Sequence, residues 1–173
     1  MDRVPSRTPQ RLPVALLAVV VACCAAYVLH TGDLLPATVA SHFNGSGVAD
    51  GHMGRGIYLA FFAALTVAVP LMIGLLPAAL AARDAKGLNI PHREHWLAPE
   101  RRVATVAFLS RHGAALGAVL AIFLSLVHAQ VVAANQRQPA TLDMAAVWPA
   151  LGAFIVAVVV WVVVLQARFR KLG

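Results

Sequence analysis

Asn89-Ile90-Pro91-His92-Arg93-Glu94-His95-Trp96-Leu97-Ala98-Pro99-Glu100-Arg101-Arg102 is the densest run of charge in the chain, and it lies between apolar segments too long to be ordinary core helices. Pro91 and Pro99 rule out one continuous helix across it, because each lacks a backbone donor and restricts the residue before it. Trp96 stands between them, with an apolar body and one N–H, a side chain suited to a membrane–water boundary. The run therefore reads as a loop at a membrane surface. Pro99 is placed to open the next helix, with Glu100 in its positive first turn.

Composition agrees. Of 173 residues, 60% are hydrophobic and 12% charged, against roughly 45–50% and 25% for a soluble domain. Mean hydropathy is +0.77. The formal net charge of +7 does not point to nucleic acid, because the bases sit at the ends of apolar segments rather than on one patch. That placement suits anionic headgroups. Cys23 and Cys24 are neighbours in an apolar run, pointing about 100° apart on a helix, so they form neither a disulfide framework nor a C-x-x-C site. They read as packing residues.

Working outward, hydropathy predicts an all-α membrane protein with four transmembrane helices, spans about 12–30, 57–82, 113–133 and 147–166. Residues 1–11 and 167–173 are cytoplasmic tails, 31–56 and 134–146 outer loops, and 83–112 the inner loop. Val20-Val21-Ala22-Cys23 resembles a lipoprotein cleavage site, but Cys24–Leu29 stays apolar, so the first helix is expected to be retained. Pro70 and Pro77 predict a kink in the second helix. The third helix, from about Pro99, is longer than a bilayer is thick; Arg111 and His112 put Pro99–His112 at headgroup level as a juxtamembrane extension. Within its buried part Gly113, Gly117, Ala121, Ser125, Ala129 and Ala133 recur every fourth residue, a small-residue face on which another helix can pack.

The distribution of Lys and Arg sets the orientation. With both termini inside (N-in/C-in), Arg3, Arg7, Arg11, Arg83, Lys86, Arg93, Arg101, Arg102, Arg111, Arg168, Arg170 and Lys171 are cytoplasmic, and only Arg55 and Arg137 face out.

The chemistry legible in this pattern is sparse. His42, Asp50 and His52 on the first outer loop, with His30 and His128 near the outer helix ends, are the candidates for a zinc site or pH sensor. Their spacing matches no ligand pattern, and a turn-anchoring role for His42 and Asn44 is the favoured reading, beside turn glycines Gly45, Gly47 and Gly51. Asn44-Gly45-Ser46 also matches a glycosylation acceptor, a triplet common by chance. His92-Arg93-Glu94-His95 is not a zincin motif, which needs glutamate directly after the first of two histidines four apart. A deaminase would add Pro-Cys-x-x-Cys, which the chain lacks. Asn89, Pro91, His95, Trp96, Pro99, Glu100, Arg101 and Arg102 instead read as an interfacial clamp or partner surface, with Glu94 and Glu100 near arginines and Trp96 at headgroup depth. No catalytic residue and no cofactor is expected.

Two of these loops also look familiar together. Leu35-Pro36, His42-Phe43-Asn44-Gly45, Gly47, Asp50 and Gly51 resemble the first outer loop of the bacterial Sdp immunity protein family. The same loop occurs in short bacterial membrane proteins carrying that family's N-terminal domain of unknown function. Asn89-Ile90-Pro91, Trp96-Leu97 and Ala98-Pro99-Glu100-Arg101-Arg102 resemble the loop after their second helix, and the match covers roughly residues 10–130. The resemblance implies a multi-pass protein of the bacterial inner membrane and brings no catalytic residues. The function expected is a non-enzymatic immunity-like sensor, regulator or protective partner. Alternatives are an accessory packing subunit of a larger membrane transporter or enzyme, and a metal-dependent protein using the outer histidines. Partners would be the lipid bilayer and another membrane protein or a second copy meeting the third helix.

Overall fold

The computed structural model describes residues 8–83 and 87–170. In chain order it comprises α1 (Thr8–Thr31), a 3-10 turn (Gly32–Leu34), β1 (Thr38–Phe43), β2 (Ala49–Gly54), α2 (Arg55–Ala82), the short α3 (Arg93–Trp96), α4 (Pro99–Asn135) and α5 (Met144–Arg170). Four of these helices, α1, α2, α4 and α5, are long and apolar enough to cross a membrane. Inside lipid no water can satisfy backbone groups, so such apolar runs close their hydrogen bonds within a helix. Arg3, Arg7, Lys86 and Lys171, part of the charge asymmetry, lie outside the described residues.

One expectation needs correcting. Residues 31–56, read as a polar loop, contain a two-stranded antiparallel sheet. Thr38 pairs with Gly54, Val39 with Met53 and Ala40 with His52, with register shifts around His42. Val39 and Ala40 are buried, so the strand presses an apolar patch onto the helix ends.

α1, α2 and α4 form the close-packed part. The buried face of α2 advances by fours, through Tyr58, Phe62, Thr66, Pro70 and Gly74. α2 continues as helix through Pro70 and Pro77. Opposite it, Gly113, Gly117 and Ala121 of α4 are buried. Rows four residues apart on both helices are ridges that interdigitate, and small residues let the backbones close in. A Cβ on Gly113 would lie 2.6 Å from the Gly74 carbonyl oxygen, and one on Gly117 2.5 Å from that of Pro70. Leu17 of α1 covers Gly74, where a Cβ would meet its Cδ2 at 2.4 Å.

Farther along, the small-residue row leaves the interface. Ser125 is half-buried and Ala133 exposed, because four residues turn a helix by about 40° more than one revolution. Ala114, Ala121 and His128, seven apart, stay buried, since seven residues fall only about 20° short of two revolutions.

Three apolar clusters stack along the bundle. At the hairpin end Val28, Leu35, Val39, Tyr58, Phe62, Val131 and Val132 pack together. Leu17, Val21, Ala114 and Ala121 fill the middle. At the opposite end Leu88, Ile90, Trp96, Leu97, Val106, Leu109 and Phe169 form a third cluster. α5 lies outside this stack; among its described residues only Phe169 is buried.

Candidate functional site

The sequence-predicted outer residues meet on the hairpin. Asn44 builds its turn: its Oδ1 accepts the backbone N–H of Ser46 (3.0 Å) and of Val48 (3.1 Å) and the Ser46 hydroxyl (2.7 Å). Backbone bonds from Asn44 N–H to Val48 O and from Gly47 N–H to Asn44 O close the loop. Gly47 has a φ of 83°, a conformation glycine enters without the Cβ penalty. His42 Nδ1 and Asp50 Oδ1 pair across the hairpin, both side chains exposed. Gly51 stands opposite His42, where a Cβ would come 2.8 Å from the His42 Cβ. His52 lies opposite Ala40 and does not join the pair. Among the described residues no three His, Cys, Asp or Glu side chains come together as a metal site.

The hairpin is fastened to the bundle by backbone groups. Asn135, the last residue of α4, accepts from Ala40 N–H (2.8 Å) and donates to Ala40 O (3.0 Å), so one amide engages both backbone groups of that residue. Its Nδ2 also donates to Val131 O (2.8 Å). Arg55 donates to Leu35 O (3.1 Å). The α4–α5 connection runs alongside and pairs through a single isolated bridge: Val48 bridges Thr141, Leu142 N–H donates to Gly47 O (2.9 Å), and Ala49 N–H to Ala140 O (3.2 Å). Asp143 caps α5 by accepting from Ala145 N–H (3.1 Å) and lies 3.5 Å from Arg137.

Beneath the hairpin is a polar network that the sequence reading missed. His128 is fully buried, whereas His30 is exposed. Thr31 Oγ1 donates to Tyr27 O (2.8 Å) and lies 2.9 Å from His128 Nε2. The hydroxyl's single proton is thereby used, so Thr31 accepts from Nε2–H. Nδ1 is then the lone-pair nitrogen, and it accepts from the Tyr58 hydroxyl at 3.0 Å. The imidazole stacks on Tyr58, with ring centroids 5.7 Å apart, and meets Tyr27 edge-on at 6.1 Å. One directed chain, Tyr58 to His128 to Thr31 to the Tyr27 carbonyl, thus ties α2, α4 and α1 together. Every ring nitrogen is satisfied, as a polar group buried in a bundle requires. The seven-residue series through Ala114 and Ala121 was the unused signal that His128 turns inward.

The stretch around Trp96 packs against the end of α5. Trp96 is buried, donating Nε1–H to Phe169 O (3.3 Å) under the end of α5. The Arg168 guanidinium sits 4.4 Å over its ring, a cation–π contact. His95 lies edge-on to Trp96 at 5.0 Å. Thr105 donates to Trp96 O (2.8 Å), and Arg102 Nε to Leu97 O (3.1 Å). α4 begins at Pro99; Asn89, Pro91, Glu94, Glu100 and Arg101 are exposed. The structure therefore separates the predicted residues into two groups at opposite ends of the bundle.

Against this geometry, residues 19–68 match the family described as a domain of unknown function (DUF1648). The matched stretch runs from the middle of α1 through the hairpin to the middle of α2, and so includes Thr31, His42, Asn44, Asp50 and Tyr58 but neither His128 nor Asn135. No curated protein and no solved structure matches the chain.

Proposed function

We propose that this multi-pass membrane protein is a non-enzymatic, immunity-like sensor or regulator of the bacterial inner membrane, lying N-in/C-in with the hairpin outside. The observation that carries the reading is the fastening of the hairpin. Asn135 grips Ala40, and Tyr58, which donates to His128, lies in the same core cluster as Val39. A ligand on His42, Asn44 or Asp50 would thus act on three packed helices, not on a floating loop. The likeness of residues 35–51 to the Sdp immunity loop supports the outward recognition role. Orientation is supported by charge: Arg55 and Arg137 flank the hairpin, whereas Arg83, Arg93, Arg101, Arg102, Arg111, Arg168 and Arg170 lie toward the other end.

A second reading, an accessory subunit seated against a larger membrane protein, draws on the open face of α5, where Val156 and Trp148 are 63% and 62% exposed. A metal-dependent role would need a third ligand beside His42 and Asp50. The test has two arms. With Cys23 and Cys24 replaced by alanine, Ser46→Cys should react with an impermeant thiol reagent on intact cells, and Asn89→Cys only after permeabilisation; the reverse pattern overturns the orientation. Producing cells challenged with secreted membrane-active peptides should survive better than non-producers, and Asn135→Ala should abolish the difference. Absence of protection, with a larger chain co-purifying in stoichiometric amount from mild detergent, would replace the sensor by the accessory subunit.

A further inference from the structure

The seam between α4 and α5 is not closed. Its closest contacts are aromatic: Phe123 stacks on Phe154 with centroids 4.2 Å apart, and His112 on Trp161 at 4.5 Å. Around the Phe123–Phe154 pair and from there toward the hairpin, α5 presents Ala157, Ala153 and Ala150, side chains too short to fill the gap. A cavity of about 350 Å³ results under β1, and a second of about 170 Å³ deeper along the seam. Both are lined by Phe123, Leu126 and Ala150, so they form one groove. The larger lobe alone falls in the range of roughly 300–1,000 Å³ usual for small-molecule sites.

Three features identify the occupant. First, the α4 lining runs from Val119 to Val131, about 18 Å at the helical rise, close to half of a hydrocarbon core about 30 Å thick. Second, the groove is continuous with the apolar surface of the membrane-spanning helices, since Ile122 and Leu126 in its wall are about half exposed. Third, its polar lining residues, Ser41, His42 and Gln130, all stand at the hairpin end, and the deeper lobe is lined by apolar residues. Water gains nothing in such a channel, and an empty groove forfeits dispersion contacts along both walls.

We propose that the α4–α5 groove is a binding site for one acyl chain of a bilayer phospholipid from the leaflet nearest the hairpin, with its ester region at Ser41 and Gln130. The site is independent of which face of the membrane that leaflet occupies. It makes the hairpin the roof of a lipid site, because Phe43 and Leu142 close the upper lobe.

The test uses the full chain in vesicles of phosphatidylethanolamine and phosphatidylglycerol containing a phospholipid with a diazirine on one acyl chain. After irradiation, labelled residues are located by mass spectrometry. Label should concentrate on Phe123, Leu126, Ala150 and Ala153 by about fivefold over the outward Val156 and Val160, because a seated chain keeps most of its surface against the pocket. Moving the diazirine from mid-chain to chain end should move the label from Ala150 toward Ala157. Ala150→Phe should lower groove labelling to the level of Val156, while Val156→Phe leaves it unchanged. Even labelling around α5, a label insensitive to diazirine depth, or a non-lipid molecule retained in the groove would each overturn the proposal. The depth series needs only the wild-type chain, so a misfolded Ala150→Phe does not spare it.

Discussion

α4 has two seams, built on opposite principles. Toward α2 it offers Gly113 and Gly117, and the backbones approach until no Cβ fits between them. Toward α5 it offers His112 and Phe123, whose rings meet Trp161 and Phe154 and hold the helices apart. The first seam gains from continuous dispersion contact along two backbones, the second from a few discrete ring contacts and hydrogen bonds. Trp161 Nε1–H donates to His112 O (2.8 Å), and His112 Nε2–H to Trp161 O (3.0 Å), a reciprocal clasp between one residue pair. In lipid, where apolar burial does not drive helices together, these are the two means left. One makes a rigid three-helix core, and the other attaches a fourth helix while leaving room at its side.

The largest effect should come from breaking the close seam. Gly117→Leu places a branched side chain where a Cβ alone would lie 2.5 Å from Pro70 O, and about 3 kcal/mol of destabilisation is expected, the upper range for overpacking. Gly152→Leu on α5, where a Cβ meets no atom within 4 Å, is the matched control and should stay within about 0.5 kcal/mol. Thermal unfolding in detergent compares them; equal midpoints would mean that α2 and α4 do not pack through Gly117.

A smaller effect, about 1–2 kcal/mol, is expected for Tyr58→Phe, which keeps the ring stack but strips His128 Nδ1 of its donor. Hydrogen exchange should rise at the hairpin ends of α1, α2 and α4 together and not in α5. A change confined to α2 would show that the network does not couple the three helices.

The smallest effect, about 1 kcal/mol, is expected from His112→Leu, which removes one half of the clasp. Its signature is local: α5 should become more accessible to protease after Arg168, with the three-helix core unchanged. Loss of the whole fold in this variant would mean that α5 is a full member of the core.

Much of this arrangement was legible in the chain. Twenty-odd apolar residues in a row leave the backbone no partner in lipid except itself, so the four spanning helices follow from hydropathy. The residues of the close seam were legible as well, because Gly113 and Gly117 announce themselves by size. The hairpin was hidden by its glycines: Gly45, Gly47 and Gly51 read as loop, and a strand as short as Thr38–Phe43 shows little alternation. The contact of Trp96 with Phe169 and Arg168 was not legible, because an indole at a membrane boundary looks the same in sequence whether it faces headgroups or the end of another helix. His128 was read by depth alone, near a helix end. Which way it turns depends on the seven-residue series continuing Ala114 and Ala121 and on Tyr58 waiting opposite, a pairing set by the helix crossing rather than by either helix alone.

The grip of Asn135 on Ala40 has a bearing on how the hairpin could be read by another molecule. A two-stranded sheet ordinarily offers its outer edges as templates on which an extended peptide can add a strand. Here the Asn135 amide occupies both backbone groups of Ala40 on β1, and the segment around Thr141 pairs with Val48 and Ala49 at the start of β2. Strand addition is blocked at those positions from within the chain. At those positions a molecule meeting the hairpin would contact the turn and the side chains standing off the sheet, His42 and Asp50 first among them, instead of extending the sheet itself.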